Sequence, residues 1–224
     1  MSRLFNFAPD EYYHLYNRGT DKRDIFMDRD DYFRFFILLY LANGTEPVHL
    51  NNYRGLASVE LFGEDVPGRL VDIGAYCLMP NHFHLLVKEI KDGGLSIFMH
   101  KLLTAYTMYF NKKHERSGSL FQGTFKARHA ASDDYLKYLF AYIHLNPVKL
   151  INSHWKDDGG IKNLPTTIKY LNNYRYSSFL DYVGQVDRPE KVILNPATFP
   201  EYFSTREDNL AELVDWLIEE NTEA

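Results

Sequence analysis

The 224-residue chain holds one cysteine, Cys77, two tryptophans and no excess of positive charge, its net charge being -5. A single thiol excludes an internal disulfide and any site built from several cysteines, and it fits a reducing cytoplasm. Its place in the apolar run AYCLM marks it as a small, inert buried hydrophobe. No apolar run is long enough to cross a bilayer. Met1 to Glu11 also lacks the basic start and apolar stretch of a secretory leader, so no membrane partner is expected. A glycine-rich phosphate loop of the kind that binds ATP is missing as well. The overall acidity argues against a protein that coats nucleic acid with its whole surface. The charge is uneven, however: acidic residues crowd 201–223, whereas 101–128 is basic. A local basic face matters more for binding than the sum over the chain.

Aromatic residues are plentiful, with 17 Tyr and 16 Phe, and the chain is 45% hydrophobic and 25% charged. It can bury a substantial core as one large domain. We read residues 1–150 as that domain, with an insertion at 44–70 that lacks periodicity, and 151–224 as an extension packing on it. Within the domain, EYYHLYNR (11–18) reads as a strand. DDYFRFFILLY (30–40) reads as a helix with an acidic start, ended by Asn43-Gly44. VDIGAYCL (71–78) and HFHLLVKE (82–89) are two buried strands joined at Met79-Pro80-Asn81. Leu95 to His114 has helical spacing, and 120–129 alternates as an extended segment. Ser132 caps a helix over 134–145, which Asn146-Pro147 stops. Ala57 to Phe62 is a short element within the insertion, and Asp208 to Glu219 an amphipathic tail helix. The order strand, helix, strand, strand, helix, strand, helix predicts an α+β fold. It is a ferredoxin-like, split βαβ antiparallel sheet with helices on one face, plus a C-terminal helical extension. Its open sheet face can hold a site or a single nucleic-acid strand.

The residues that carry chemistry cluster in two places. His82 and His84 stand at i and i+2 of one strand, so both imidazoles point to the same side. Tyr142 and Asn146 stand at i and i+4 of one helix and share its face. His82, His84 and Asn146 could bind one divalent cation, and two nitrogens plus oxygens suit Mg²⁺ or Mn²⁺ better than a closed zinc site. Tyr142 would then face that cation as a covalent nucleophile for a phosphate. Tyr138, one turn earlier on nearly the same face, is the competing nucleophile. Arg18, Lys112, Lys113, Arg116, Lys126 and Arg128 are candidate phosphate contacts, as are Lys101 and Arg23. Phe121 and Phe125 could stack on bases. His129 and His144 are further candidates for the neighbourhood of the site.

MPNHFHLLV resembles the His-hydrophobic-His motif of the single-tyrosine HUH transposases. AYIHLNPVK resembles their catalytic-helix motif, in which a tyrosine precedes Asn-Pro by four residues. YHLYNRGTDKRDIF with DDYFRFF, GSLFQGTFKARHA, and YRYSSFLDYVG resemble three further segments in the same order, together spanning about residues 12–184. The branch most resembled is that of the REP-associated tyrosine transposases, which often carry Asn where many insertion-sequence relatives carry Gln. The resemblance implies a protein that binds single-stranded DNA, often beside a hairpin. Tyr142 would attack a phosphodiester, form a 5′-phosphotyrosine link and release a 3′-OH, which later reverses the step without ATP. It also admits a homodimer in which one subunit's tyrosine helix serves the other. Two other readings of the residues stand beside it. One is a non-catalytic single-stranded nucleic-acid-binding module on the same fold. The other is a metal-dependent phosphodiesterase that uses water in place of tyrosine.

Overall fold

The computed structural model describes residues 6–48, 60–155, 160–161, 163–183, 187–200 and 215. Four antiparallel strands form one sheet: β1 (Tyr12–Arg18), β2 (Val71–Met79), β3 (His82–Glu89) and β4 (Lys126–His129), in the order β2-β3-β1-β4. With α1 (Arg29–Leu41) between β1 and β2 and α2 (Gly94–Lys113) between β3 and β4, the connectivity is the ferredoxin-like one. The side-chain alternation of the strands gives the sheet two faces. One face carries Tyr13, Leu15, Phe83, Leu85 and Val87 and packs on Phe35, Leu38, Phe98 and Leu102 of α1 and α2. Phe83 is fully buried there, 5.2 Å from Phe35 between ring centroids.

Both of these helices lie on one side, as the sequence suggests. A third helix, α3 (Asp133–Leu145), lies on the other. Its Leu136, Leu139, Phe140 and Ile143 pack on Ala75, Cys77, Met79 and Leu86. Ser132 caps α3, its side chain accepting from the Tyr135 N–H at 3.2 Å, and Asp133-Asp134 complement the dipole of the first turn. Pro147 has no N–H to continue the α-helical ladder, and there the chain tightens into a 3-10 turn, Asn146–Leu150.

Two short helices follow, α4 (Leu164–Leu171) and α5 (Phe179–Val183). Asn163 caps α4 and Pro165 opens it, a start signal written in the sequence. These helices bury Leu171, Phe179, Leu180 and Val183 against Ala141, Leu145 and Trp155. The segment between them pairs with the outer side of β2, through a bridge of Cys77 with Ser177 and Leu78 N–H to Tyr176 O at 2.8 Å, so that the sheet edge is covered. Arg188, 4% exposed, fastens this region by donating to the Tyr76 hydroxyl at 2.8 Å, to Arg175 O at 2.7 Å and to Asp181. Gly74 lies at the β2 bulge, where a Cβ would stand 2.6 Å from the Phe199 ring.

Part of the 44–70 insertion is described, including a 3-10 turn at Glu60–Gly63 that buries Leu61 and Phe62. Ala57 to Val59 and the tail helix at 208–219, Asp215 excepted, lie outside the described residues.

Candidate active site

On the α3 side of the sheet, β1 and β3 present His14, Tyr16 and Arg18 beside His82 and His84. The register sets Tyr16 opposite His84 and Arg18 opposite His82. Because the strands alternate, both β3 imidazoles point away from the aromatic core and toward α3. Tyr142 reaches down from α3 with its ring edge-on to His84 at 5.5 Å and to His14 at 5.9 Å between centroids. The tyrosine and the histidines it meets belong to the same chain. His82, His84, Tyr142 and Lys149 line one open cleft of about 280 Å³, together with Tyr16, Asn17, Arg18, Gln122 and Lys126.

Hydrogen bonds fix the imidazoles. His82 Nδ1 is 2.6 Å from the Asn81 side-chain oxygen. That oxygen only accepts, so the proton sits on Nδ1 and the Nε2 lone pair stays available. His84 Nδ1 is 2.8 Å from His14 Nε2. A proton on His84 Nδ1 leaves its Nε2 free in the same way, the usual arrangement when a second residue orients a ligand imidazole. Burial holds His82 and His14 each down to about 4, with Arg18 adding to the effect at His82 and Arg128 at His14. His84, 6% exposed, is held well below the ordinary histidine value by burial and by the neighbouring His14 and His82. All three rings are therefore neutral near pH 7, the form that ligates metal.

Asn146, 2% exposed, donates its side-chain N–H to the Tyr142 carbonyl at 3.1 Å. Its Oδ1 has no hydrogen-bond partner among the described residues. The same amide lies close enough to His82 to raise that ring's proton affinity. A buried acceptor without a donor is costly, and a cation beside His82 would satisfy it. The donor set of two neutral imidazoles and one amide oxygen thus fits a divalent ion whose other positions are filled by oxygens. Among the described residues no group of three His, Cys, Asp or Glu side chains could hold a metal, so a site here depends on Asn146.

The predicted phosphate contacts divide. Arg18 and Lys126 line the cleft, and Arg128 lies over the Tyr135 ring on the same side of the sheet, 4.9 Å from its centroid. Lys113 does not reach it. Its ammonium is captured at the N-terminus of α1 by Asp31 at 2.9 Å and Asp28 at 2.6 Å, on the packed side of the sheet. Arg116 donates to Asn111 Oδ1 at 2.8 Å at the end of α2, and Lys112 is exposed on the same helix end, away from the histidines. Lys101 is tied to Gly44 O and Glu46 O of the insertion. Arg23 is held by Thr20 O, at 2.9 Å. Phe121 is a correction: it is 6% exposed and packs on Phe83 and Tyr106, with no face to offer a base. Phe125 stacks on Phe7. His129 bonds Glu11, and His144 bonds the Ser178 hydroxyl at 2.7 Å, so neither lines the cleft. Tyr138 stacks on Tyr142 at 5.9 Å but is not among the residues that line the cleft.

Two residues went unassigned in the sequence. His14 sits on β1, and only the strand register brings it to His84. Lys149 stands seven residues after Tyr142, and its ammonium lies 5.2 Å from the centre of the Tyr142 ring. The i, i+4, i+7 spacing of 142, 146 and 149 was a usable signal, hidden by reading Pro147 as the end of the face.

Residues 60–146 match the family profile described as "Transposase IS200 like". The matched stretch includes His82, His84, Tyr142 and Asn146. A solved structure of a REP-associated tyrosine transposase bound to a REP hairpin is 13% identical, with a TM-score of 0.49 over 85% of this chain and 89% of that one. No curated protein sequence matches the chain.

Proposed function

We propose, on the premise that residues 60–146 are similar to the IS200-like transposases, that this protein cuts and rejoins single-stranded DNA with Tyr142 as nucleophile. The observation that carries the reading is the meeting of Tyr142 with its own chain's histidines, 5.5 Å from His84, beside the orphaned oxygen of Asn146. The tyrosine oxygen bonds to phosphorus and the bond to the 3′ oxygen breaks, leaving a 5′-phosphotyrosine link and a 3′-OH. A 3′-OH reverses the step, and the link conserves the phosphodiester's energy. His82, His84 and Asn146 would hold Mg²⁺ or Mn²⁺. When bound, such an ion polarises the phosphate and offsets the charge that builds on it.

The chain's own residues supply the rest. His14 and Asn81 orient the two imidazoles. Arg18 and Lys126 draw in the sugar-phosphate backbone, and among the described residues no aspartate or glutamate lines the cleft to oppose them. The resemblance of its motifs to the single-tyrosine HUH transposases motivates a hairpin-bearing DNA as the partner. The test is incubation of the protein with labelled single-stranded hairpin DNA and Mg²⁺ or Mn²⁺, followed by a denaturing gel. A metal-dependent protein-linked band is expected, and Tyr142→Phe should abolish it while keeping DNA binding. Binding with neither band nor cut strand would make the protein a binding module.

A further inference from the structure

Three cations line the cleft, and one of them stands at the nucleophile. We propose that Lys149 is a catalytic residue whose ammonium holds a non-bridging oxygen of the scissile phosphate against Tyr142. The assignment rests on the strand-transfer reading above. Lys149 follows Tyr142 by seven residues and Asn146 by three, and the 3-10 turn Asn146–Leu150 carries the α3 face past Pro147 so that all three line one hollow beside the cleft, with Tyr142 and Lys149 also lining the cleft itself. Its ammonium is parked over the Tyr142 ring at 5.2 Å from the centroid. No carboxylate pairs with Lys149 among the described residues, in contrast to Lys113 and its two aspartates. Its charge acts on both His82 and His84, which places it within the field of the proposed metal ligands.

This position suits one task. When the Tyr142 oxygen bonds to phosphorus, the bond to the 3′ oxygen breaks and takes its electron pair with it. The phenolic proton passes to solvent, and the departing oxygen takes a proton from solvent. Negative charge spreads over the non-bridging oxygens throughout. A half-buried ammonium fixed beside the nucleophile meets that charge without reorganising, and it does so more strongly than a cation in open water. Arg18 and Lys126 are both exposed on strands at the cleft wall and serve the backbone on either side.

The experiment is single-turnover adduct formation at saturating hairpin DNA, with the dissociation constant measured separately and thermal unfolding recorded for each variant. Lys149→Met keeps the stem over the ring and removes the charge. The adduct rate should fall about 100-fold or more, as for loss of one preorganised donor to a developing oxyanion, while the dissociation constant moves by less than about threefold. Lys149→Arg keeps the charge and should recover much of the rate, which a purely packing role would not produce. An adduct rate for Lys149→Met within a few-fold of the parent, with Tyr142→Phe still inactive, would overturn the assignment and leave the nucleophile in place. A loss confined to the dissociation constant would also overturn it, making Lys149 an ordinary backbone contact. A parent protein that forms no adduct would overturn the strand-transfer reading, and this assignment with it.

Discussion

The two faces of the sheet come from the same alternating strands and are built in opposite ways. On one side Phe83, Leu85 and Leu15 close against α1 and α2 with almost no exposed surface. Of the buried carboxylates there, Asp31 is satisfied by the Met27 N–H at 2.9 Å, Lys113 at 2.9 Å and His114 at 3.0 Å, and Glu89 accepts from the Leu95 N–H at 3.0 Å through one oxygen while the other has no partner among the described residues. On the other side, residues one position away, His82 and His84, sit beside an open cleft, and next to His82 the buried Asn146 oxygen has no hydrogen-bond partner among the described residues. A face that leaves neutral imidazoles and an orphaned acceptor around a cleft has spent some stability on chemistry.

Breaking the packed face should have the largest effect. Phe83→Ala leaves a cavity among fully buried rings and should destabilise the protein by about 3–5 kcal/mol in denaturant unfolding, and DNA-adduct formation by whatever protein remains folded should persist. A change next door should do the reverse. His84→Ala should lower metal-dependent adduct formation by more than about 100-fold, beyond the loss typical of a residue that only orients a ligand. His14→Phe probes that weaker role. It keeps a ring against His84 but removes the hydrogen bond, and metal affinity read from a titration of adduct yield should drop by about 10–100-fold.

Within the working pH range the response is smaller still, and it comes from a buried ring of α3. Burial holds His144 down to about 3, from an ordinary value near 6.5. The unfolded chain therefore binds more protons than the folded one between those values. The stability is fully present above about pH 6.5 and is lost as pH falls toward the folded value, at up to about 1.4 kcal/mol per pH unit for each such ring. His144→Leu should flatten the acid limb of a stability-pH curve; a limb unchanged in slope would assign it to other groups.

Much of this was legible in the sequence because it is local. The apolar stripe of α2, the Ser132 cap, the turn between β2 and β3, and the shared side of His82 and His84 all follow from short-range periodicity. So does Tyr142 above Asn146 on one helix face. What escaped depends on long-range pairing or on burial. His14 meets His84 across 70 residues of chain, through strand register alone. Lys113 reads as a solvated or DNA-facing cation until Asp28 and Asp31, more than 80 residues earlier, capture it. Phe121 has the composition of a stacking residue, and only its 6% exposure makes it core. Lys149 was masked by Pro147, which tightens the helix without turning the chain away from the site.

The account's central claim is that Tyr142 becomes covalently joined to DNA. The most direct measurement is to digest the protein after reaction with labelled single-stranded hairpin DNA and Mn²⁺, and to identify the nucleotide-bearing peptide by mass spectrometry. The account predicts the modification on Tyr142, dependent on the metal ion and on His82. Modification on Tyr138, or a cut strand with no protein-linked nucleotide, would contradict it.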